Sequence, residues 1–191
     1  MTSKIMLLRH GKPEFDLFST GRDPYAAAQL SQVIRRYTQS PIAPAPPPPV
    51  HALQHARDCR AIVCSDLRRS LESATRLGHA QKTLIAPLFR EAELPYADWQ
   101  RPRLSLYSWF VIFRLLWLFG YAQNGESLRQ ARRRAIAATD VLTELARQHG
   151  SVLLVGHGFM NHFIARQLRA RGWQGPKSPG RHYWEYGVYE A

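Results

Sequence analysis

Two histidines in this chain stand in the same local setting. Arg9-His10-Gly11 closes the apolar run Ile5-Met6-Leu7-Leu8, and Gly156-His157-Gly158 closes Val152-Leu153-Leu154-Val155. A third run, Ala61-Ile62-Val63-Cys64, leads into Ser65-Asp66-Leu67-Arg68-Arg69. A neutral imidazole is a good nucleophile near neutral pH, because its unperturbed pKa is about 6.5. Guanidinium groups grip phosphoryl oxygens through a planar fork of donors. Imidazoles among arginines therefore describe a site for a phosphate. A lone histidine at a strand end is more often an ordinary satisfied polar residue. The pairing of His10 with His157, each beside glycine and with an arginine segment between them in sequence, points to chemistry instead. His51, His55, His79, His149, His162 and His182 have no such setting and read as structural or exposed.

The elements that must position these groups follow from the same pattern. Continuous apolar runs of this length suit strands covered on both faces, as in parallel α/β sheets. In such sheets ligands bind beyond the carboxyl ends of the strands. The fold then gathers Arg9, His10, His157 and an arginine of the 65–69 segment into one pocket. The sequence predicts strands over 4–9, 60–65, 83–86 and 151–156, and a last strand at a sheet edge over 182–189. Helices are predicted over 24–37, 67–78, 125–148 and 159–171. In the third of these, Leu128, Ala131, Ala135, Ala138, Leu142 and Leu145 form one apolar stripe. Asn124 reads as its N-cap, Glu126 suits its first turn, and Gly150 its stop. Arg129, Arg132, Arg133 and Arg134 fall mostly on its solvent side. The proline-rich stretch from Pro41 to Pro49 reads as an extended, stiff connector. With no internal repeat, residues 1–191 are expected to form one domain.

Composition narrows the partners. With 191 residues, 45% of them hydrophobic, the chain can bury a sizeable core rather than remain disordered. The 26 Lys plus Arg against 14 Asp plus Glu give a net charge of +12. That favours anionic partners, namely phosphorylated small molecules, anionic lipid surfaces or nucleic acid. No nucleic-acid motif is present and the aromatics do not interleave with the arginines, so no nucleic-acid partner is expected. Cys64 lies in an apolar run, as a small buried thiol would, so a reducing compartment without a disulfide framework is expected. The N-terminal apolar run is too short for a secretory leader, and the expected location is cytoplasmic.

Taken in order, Arg9-His10-Gly11, Ser65-Asp66-Leu67-Arg68-Arg69-Ser70-Leu71-Glu72-Ser73-Ala74, Gly125-Glu126-Ser127 and Gly156-His157-Gly158 resemble the histidine phosphatase superfamily. The closest resemblance is to its acid, alpha-ribazole and phosphohistidine phosphatase branch, and it runs from about residue 4 to 170. It implies the phosphoglycerate mutase-like fold: a three-layer α/β/α sandwich with a mostly parallel central sheet and a helical cap insertion, here at about 96–123. Aligning the second motif on Ser65 and Leu67 selects Arg69 rather than Arg68 and puts Ser73 in the place of the family's threonine. The chain departs from many members in Lys12-Pro13-Glu14, in the proline-rich segment before the second strand, and in the apolar stretch 104–119.

The resemblance implies a phosphatase that works through phosphohistidine. His10 would be the nucleophile, with Arg9, Arg69 and His157 cradling the phosphoryl group and the helix after Gly158 adding amide dipoles. The leaving oxygen needs a proton, so a carboxyl must stand near it. Phe89-Arg90-Glu91-Ala92-Glu93-Leu94 offers two, and the resemblance selects Glu91, with Glu93 the alternative. Two fixed cations would repel a divalent ion, so no metal and no cofactor are expected. The rival readings are phosphoryl transfer between hydroxyls, as in phosphoglycerate mutases, and a non-catalytic basic module for anionic lipid or nucleic acid.

Leu104 to Phe119 is apolar all round except for Arg114. Sixteen helical residues span about 24 Å, short of the roughly 30 Å hydrocarbon core. The stretch is expected to be a helix roofing the phosphate pocket, its Trp and Phe side chains favouring bulky leaving groups. A peripheral membrane contact or self-association through 104–119 is the other reading.

Overall fold

The computed structural model describes residues 3–15 and 23–191. Strands β1 (Lys4–Arg9), β3 (Ala61–Cys64), β4 (Leu84–Ile85) and β6 (Ser151–Gly156) run parallel, and β7 (Tyr186–Glu190) pairs antiparallel with β1. The sheet order is β4-β3-β6-β1-β7, so the last strand is at an edge, beginning later than the sequence predicts. A two-stranded ribbon pairs β2 (Tyr25–Ala26) with β5 (Arg103–Leu104). The helices are α1 (Leu30–Gln39), α2 (Val50–Arg57), α3 (Arg68–Arg76), α4 (Leu106–Leu118), α5 (Leu128–His149) and α6 (Gly158–Ala170).

The alternation of each strand splits its apolar residues between two layers. Ile5, Leu7, Val63, Val152 and Leu154 pack under α5 and α6, where Ala131, Ala135, Ala138, Leu142, Ile164 and Leu168 meet them. Met6, Leu8, Ile62, Cys64, Leu153 and Val155 pack on the other side with Ala52 and Ala56 of α2 and Ala74 and Leu77. The architecture is the three-layer sandwich expected from the resemblance. A third cluster lies outside the sheet: Leu30 and Val33 of α1 pack with Leu106, Trp109 and Phe113 of α4.

Several boundaries differ from expectation, each for a tertiary reason. The helix predicted over 24–37 begins only at Leu30, because Tyr25–Ala26 pairs with β5 and a 3-10 turn, Ala27–Gln29, follows. It runs on to Gln39, where the Arg69 side chain binds the carbonyls of Tyr37 and Thr38. The N-cap of α5 is Ser127, whose Oγ accepts from Gln130 N at 3.2 Å while Gln130 Oε1 accepts from Ser127 N at 2.9 Å. Asn124, the expected cap, instead turns the chain at φ 56°. The proline-rich connector is strapped down by its carbonyls: Ala43 O accepts from Arg76 at 2.6 Å, and Pro46 O from the Trp184 indole at 3.1 Å. Cys59 and Cys64 are both free and buried, and burial pushes their thiols up to about 12 and about 11. Among the described residues no helix is long and apolar enough to cross a membrane.

Candidate active site

The parallel register brings three strand ends to one level. Arg9 lies opposite Gly156 and Cys64 opposite Val155, so His10, His157 and Ser65 each follow directly where β1, β6 and β3 stop. His10 and His157 are buried, with ring centroids 4.9 Å apart in an edge-on arrangement. His10 Nδ1 lies 2.7 Å from the carbonyl oxygen of Gly11. A carbonyl can only accept, so Nδ1 carries the proton and Nε2 keeps its lone pair. Arg69 Nε donates to that Nε2 at 3.2 Å. Burial first, then the Arg69 charge, hold the His10 imidazole well below its ordinary value, and the Gly11 bond only partly opposes them.

Gly11 has to be glycine for packing reasons, since a Cβ there would stand 2.3 Å from the Trp184 ring. Its N–H donates to Ser73 Oγ at 2.9 Å, so the serine in the family's threonine place does hold the loop after His10. Of the two neighbouring arginines, Arg69 is only 2% exposed and turns to His10, while Arg68 pairs on the surface with Glu72. Arg69 Nη1 also donates to Tyr37 O at 3.1 Å and Thr38 O at 3.3 Å, and the guanidinium lies over the Tyr37 ring. Arg9 donates through Nη1 to Arg181 O and lies 4.5 Å over the Tyr183 ring, which itself is 5.7 Å from His10.

His157 Nε2 stands 2.7 Å from Ser65 Oγ. With that hydroxyl donating, the His157 proton sits on Nδ1, a buried nitrogen with no partner. Arg9 Nε is a second buried donor left without a partner. Two orphaned donors beside a neutral imidazole fit an oxyanion that would accept from both. Burial, then the neighbouring His10 and Arg69, hold the His157 imidazole well below its ordinary value too.

Glu91 reaches this centre and Glu93 does not. Glu91 Oε1 accepts from Met160 N at 3.0 Å and Ala92 N at 2.9 Å, and Oε2 accepts from Phe159 N at 3.2 Å. The first-turn amides of α6, expected to face a phosphate, are thus used to seat this carboxyl group. A Cβ on Gly158 would stand 3.7 Å from Glu91 Oε2 and 3.8 Å from Arg9 Cζ, so both side chains come within van der Waals reach of this glycine. Glu93 is exposed and borders, with Glu91, a polar recess of about 390 Å³.

The loop carrying Glu91 is clamped by a residue that sequence reasoning left on the solvent face. Arg134 donates to Leu88 O (3.0 Å), Arg90 O (2.7 Å) and Glu91 O (3.1 Å), and forms a two-bond pair with Glu126 at 2.8 and 2.6 Å. The signal was its phase: Arg134 sits beside Ala131 and Ala135 on the helix, at the rim of the buried stripe, unlike Arg129, Arg132 and Arg133. The Trp109 and Trp117 indoles are not pocket walls. Both are fully buried and donate to Tyr25 O and Glu126 O at 2.7 Å, anchoring α4. From α4, Arg114 lies 3.9 Å over the ring of Phe159, and Trp117 packs edge-on against the same ring at 6.2 Å. Among the described residues no cluster of three His, Cys, Asp or Glu side chains is placed to hold a metal ion.

A sequence profile of the histidine phosphatase superfamily, branch 1, matches residues 50–183. The chain belongs to that superfamily. The matched span holds Arg69, Glu91 and His157, and the sheet register adds Arg9 and His10 to them from outside it. Among solved structures, the histidine phosphatase fold is shared with Rv3214 of Mycobacterium tuberculosis (20% identity, TM-score 0.57, covering 87% of this chain and 79% of that one). It is shared as well with the mycobacterial glucosyl-3-phosphoglycerate phosphatase Rv2419c (21%, 0.57, 88% and 80%). A third similar structure is an Escherichia coli K-12 protein proposed as an alpha-ribazole-5'-P phosphatase (17%, 0.58, 87% and 79%). No curated protein matches the sequence.

Proposed function

We propose that this member of the histidine phosphatase superfamily hydrolyses phosphate monoesters through a covalent phosphohistidine on His10. Superfamily membership supports phosphatase or mutase-type chemistry in general, and two of the similar structures carry phosphatase names for small phosphorylated substrates. The observation that carries the finer reading is the His10 environment. Its Nε2 lone pair points to Arg69, beside two buried donors, Arg9 Nε and His157 Nδ1, that lack partners.

In the first step the Nε2 lone pair forms the N–P bond as the P–O bond to the leaving group breaks. Gly11 O holds the Nδ1 proton and so stabilises the cationic ring that forms. Arg9, Arg69 and His157 take the three phosphoryl oxygens and spread the developing charge. Glu91 gives its proton to the departing oxygen, and as carboxylate then takes one from the water that attacks the phosphohistidine. Phosphate leaves and both groups return to their starting states. With two guanidinium groups in place the centre suits an anion and not a divalent cation, so the reaction is read as needing no metal.

The test is direct. Nitrophenyl phosphate turned over by the purified protein and quenched in alkali should leave acid-labile phosphate on His10. His10→Ala should lose that label and about three orders of magnitude or more in turnover. A folded His10→Ala protein keeping more than about a tenth of the rate would end the covalent reading. Phosphate appearing on an added alcohol rather than in solution would move the assignment to a mutase.

A further inference from the structure

We infer that the outward face of α4 docks this protein onto an anionic lipid bilayer. The apolar stretch from Leu106 to Phe119 has more than one use. Leu106, Trp109, Phe113 and Trp117 face inward and are buried. Tyr107, Val111, Leu115 and Leu118 follow one another at steps of four, four and three, and so share one outer face. With Phe119 just beyond them, they are between 40% and 89% exposed. That is a contiguous ridge of five large apolar side chains, about 18 Å long at 1.5 Å per residue, far more than singly scattered surface hydrophobics require. The helix cannot roll to hide it, because the Trp109 and Trp117 indoles bind Tyr25 O and Glu126 O on the buried side.

Charge selects the occupant. From Trp99 through Gly125 the chain contains no Asp or Glu, while Arg101 and Arg103 are exposed at the entrance to α4. The first turns of α5, tied to α4 by the Trp117–Glu126 bond, add exposed Arg129, Arg132 and Arg133. A second copy of the chain would bring the same cations, with Asp98 the exposed carboxylate flanking the segment, so cations outnumber carboxylates across such a contact and an isologous dimer is disfavoured here. Anionic headgroups supply the missing charge, and acyl chains accept the ridge, as with an amphipathic helix lying in the interface.

The same ridge adjoins the phosphate pocket. Arg114 lies at its margin and stacks over Phe159, whose N–H holds Glu91 Oε2. A docked molecule therefore brings the Glu91 side of the pocket to the membrane surface.

Co-sedimentation with vesicles of phosphatidylcholine alone, and of phosphatidylcholine mixed with phosphatidylglycerol, tests the inference. The protein should pellet with the mixed vesicles and not with the neutral ones, and added salt should release it. The double variant Leu115→Glu, Leu118→Glu should partition at least about tenfold less, with its circular dichroism and its rate on nitrophenyl phosphate unchanged. Should that pair disturb folding, Phe119→Ser, at the most exposed position, should weaken partitioning alone. Arg101→Gln with Arg103→Gln should flatten the salt dependence. Equal pelleting with both vesicles, no pelleting with either, or variants that bind like the parent would overturn the inference. So would a dimer in gel filtration that the Leu115/Leu118 variant dissociates. The pelleting, salt and gel-filtration readings do not require the protein to be a phosphatase.

Discussion

Arg69 and His10 are joined by a single N–H···N contact of 3.2 Å, while the rest of the Arg69 guanidinium is fixed on the last carbonyls of α1. This cation thus adds to burial in keeping the imidazole unprotonated, marks the direction of its lone pair and has a fork that suits a phosphoryl oxygen. A lysine at this position would keep the charge and lose the fork. Arg69→Lys should lower kcat/KM on nitrophenyl phosphate by about a hundredfold or more, with the protein still folded. Steady-state kinetics check this, and an unchanged rate would remove Arg69 from the phosphate cradle.

Glu91→Gln should separate leaving groups. An alkyl phosphate needs a proton at departure and should slow by about 10²–10⁴, whereas nitrophenyl phosphate, which leaves without one, should slow far less. Equal slowing of both would take the acid role from Glu91. The same pair of substrates on Glu93→Gln should show no difference from the parent.

The Arg134–Glu126 clamp should act on the same step at one remove. Arg134 holds three carbonyls of the segment bearing Glu91, so loosening it should blur the position of the acid without touching the nucleophile. Glu126→Gln is expected to reproduce the leaving-group selectivity of Glu91→Gln in weaker form, with the phosphohistidine label intact. A uniform loss on both substrates would assign the clamp to stability alone.

The buried imidazoles set a pH dependence of stability whose sign is fixed. Folded His10 and His157 titrate well below their ordinary value, so between about 6.5 and the folded values the unfolded chain binds more protons. Stability contributed by keeping both rings neutral is present above about pH 6.5 and is lost as pH falls below it, by up to about 1.4 kcal/mol per pH unit for each. Urea melts from pH 7 to 5 should show that slope, and His157→Asn should reduce it. An identical slope in the variant would mean His157 is not held neutral by the fold.

The sequence made the site legible where chemistry and strand ends coincide. The apolar runs ending at Arg9, Cys64 and Gly156 place His10, Ser65 and His157, and the motif spacing picks Arg69, the arginine that turns to His10, over Arg68, which pairs with Glu72. What escaped depends on partners distant in the chain. Tyr25–Ala26 reads as helix until β5 is there to pair with it. Helix α2 buries little beyond Ala52 and Ala56, too few positions to show a stripe. Trp109 and Trp117 look like lid residues until their N–H groups find Tyr25 O and Glu126 O. Tyr37 and Tyr183, stacked under Arg69 and Arg9, carry no local signal at all.

Because β1, β3 and β6 stop at one level, tolerance to insertion and deletion should be very uneven along this chain. Removing one residue inside β1 would either draw His10 back by about 3.3 Å or turn Ile5, Leu7 and their neighbours into the opposite layer. The outer face of α4 adds no strand to the main sheet, so Val111, Leu115 and Leu118 can change in polarity without moving a strand end, whereas the length of the helix is tied to the Glu91 loop through Trp117 and Arg114. The chain is rigidly spaced where its strands end at His10, Ser65 and His157, and free to diverge on the outer face of α4.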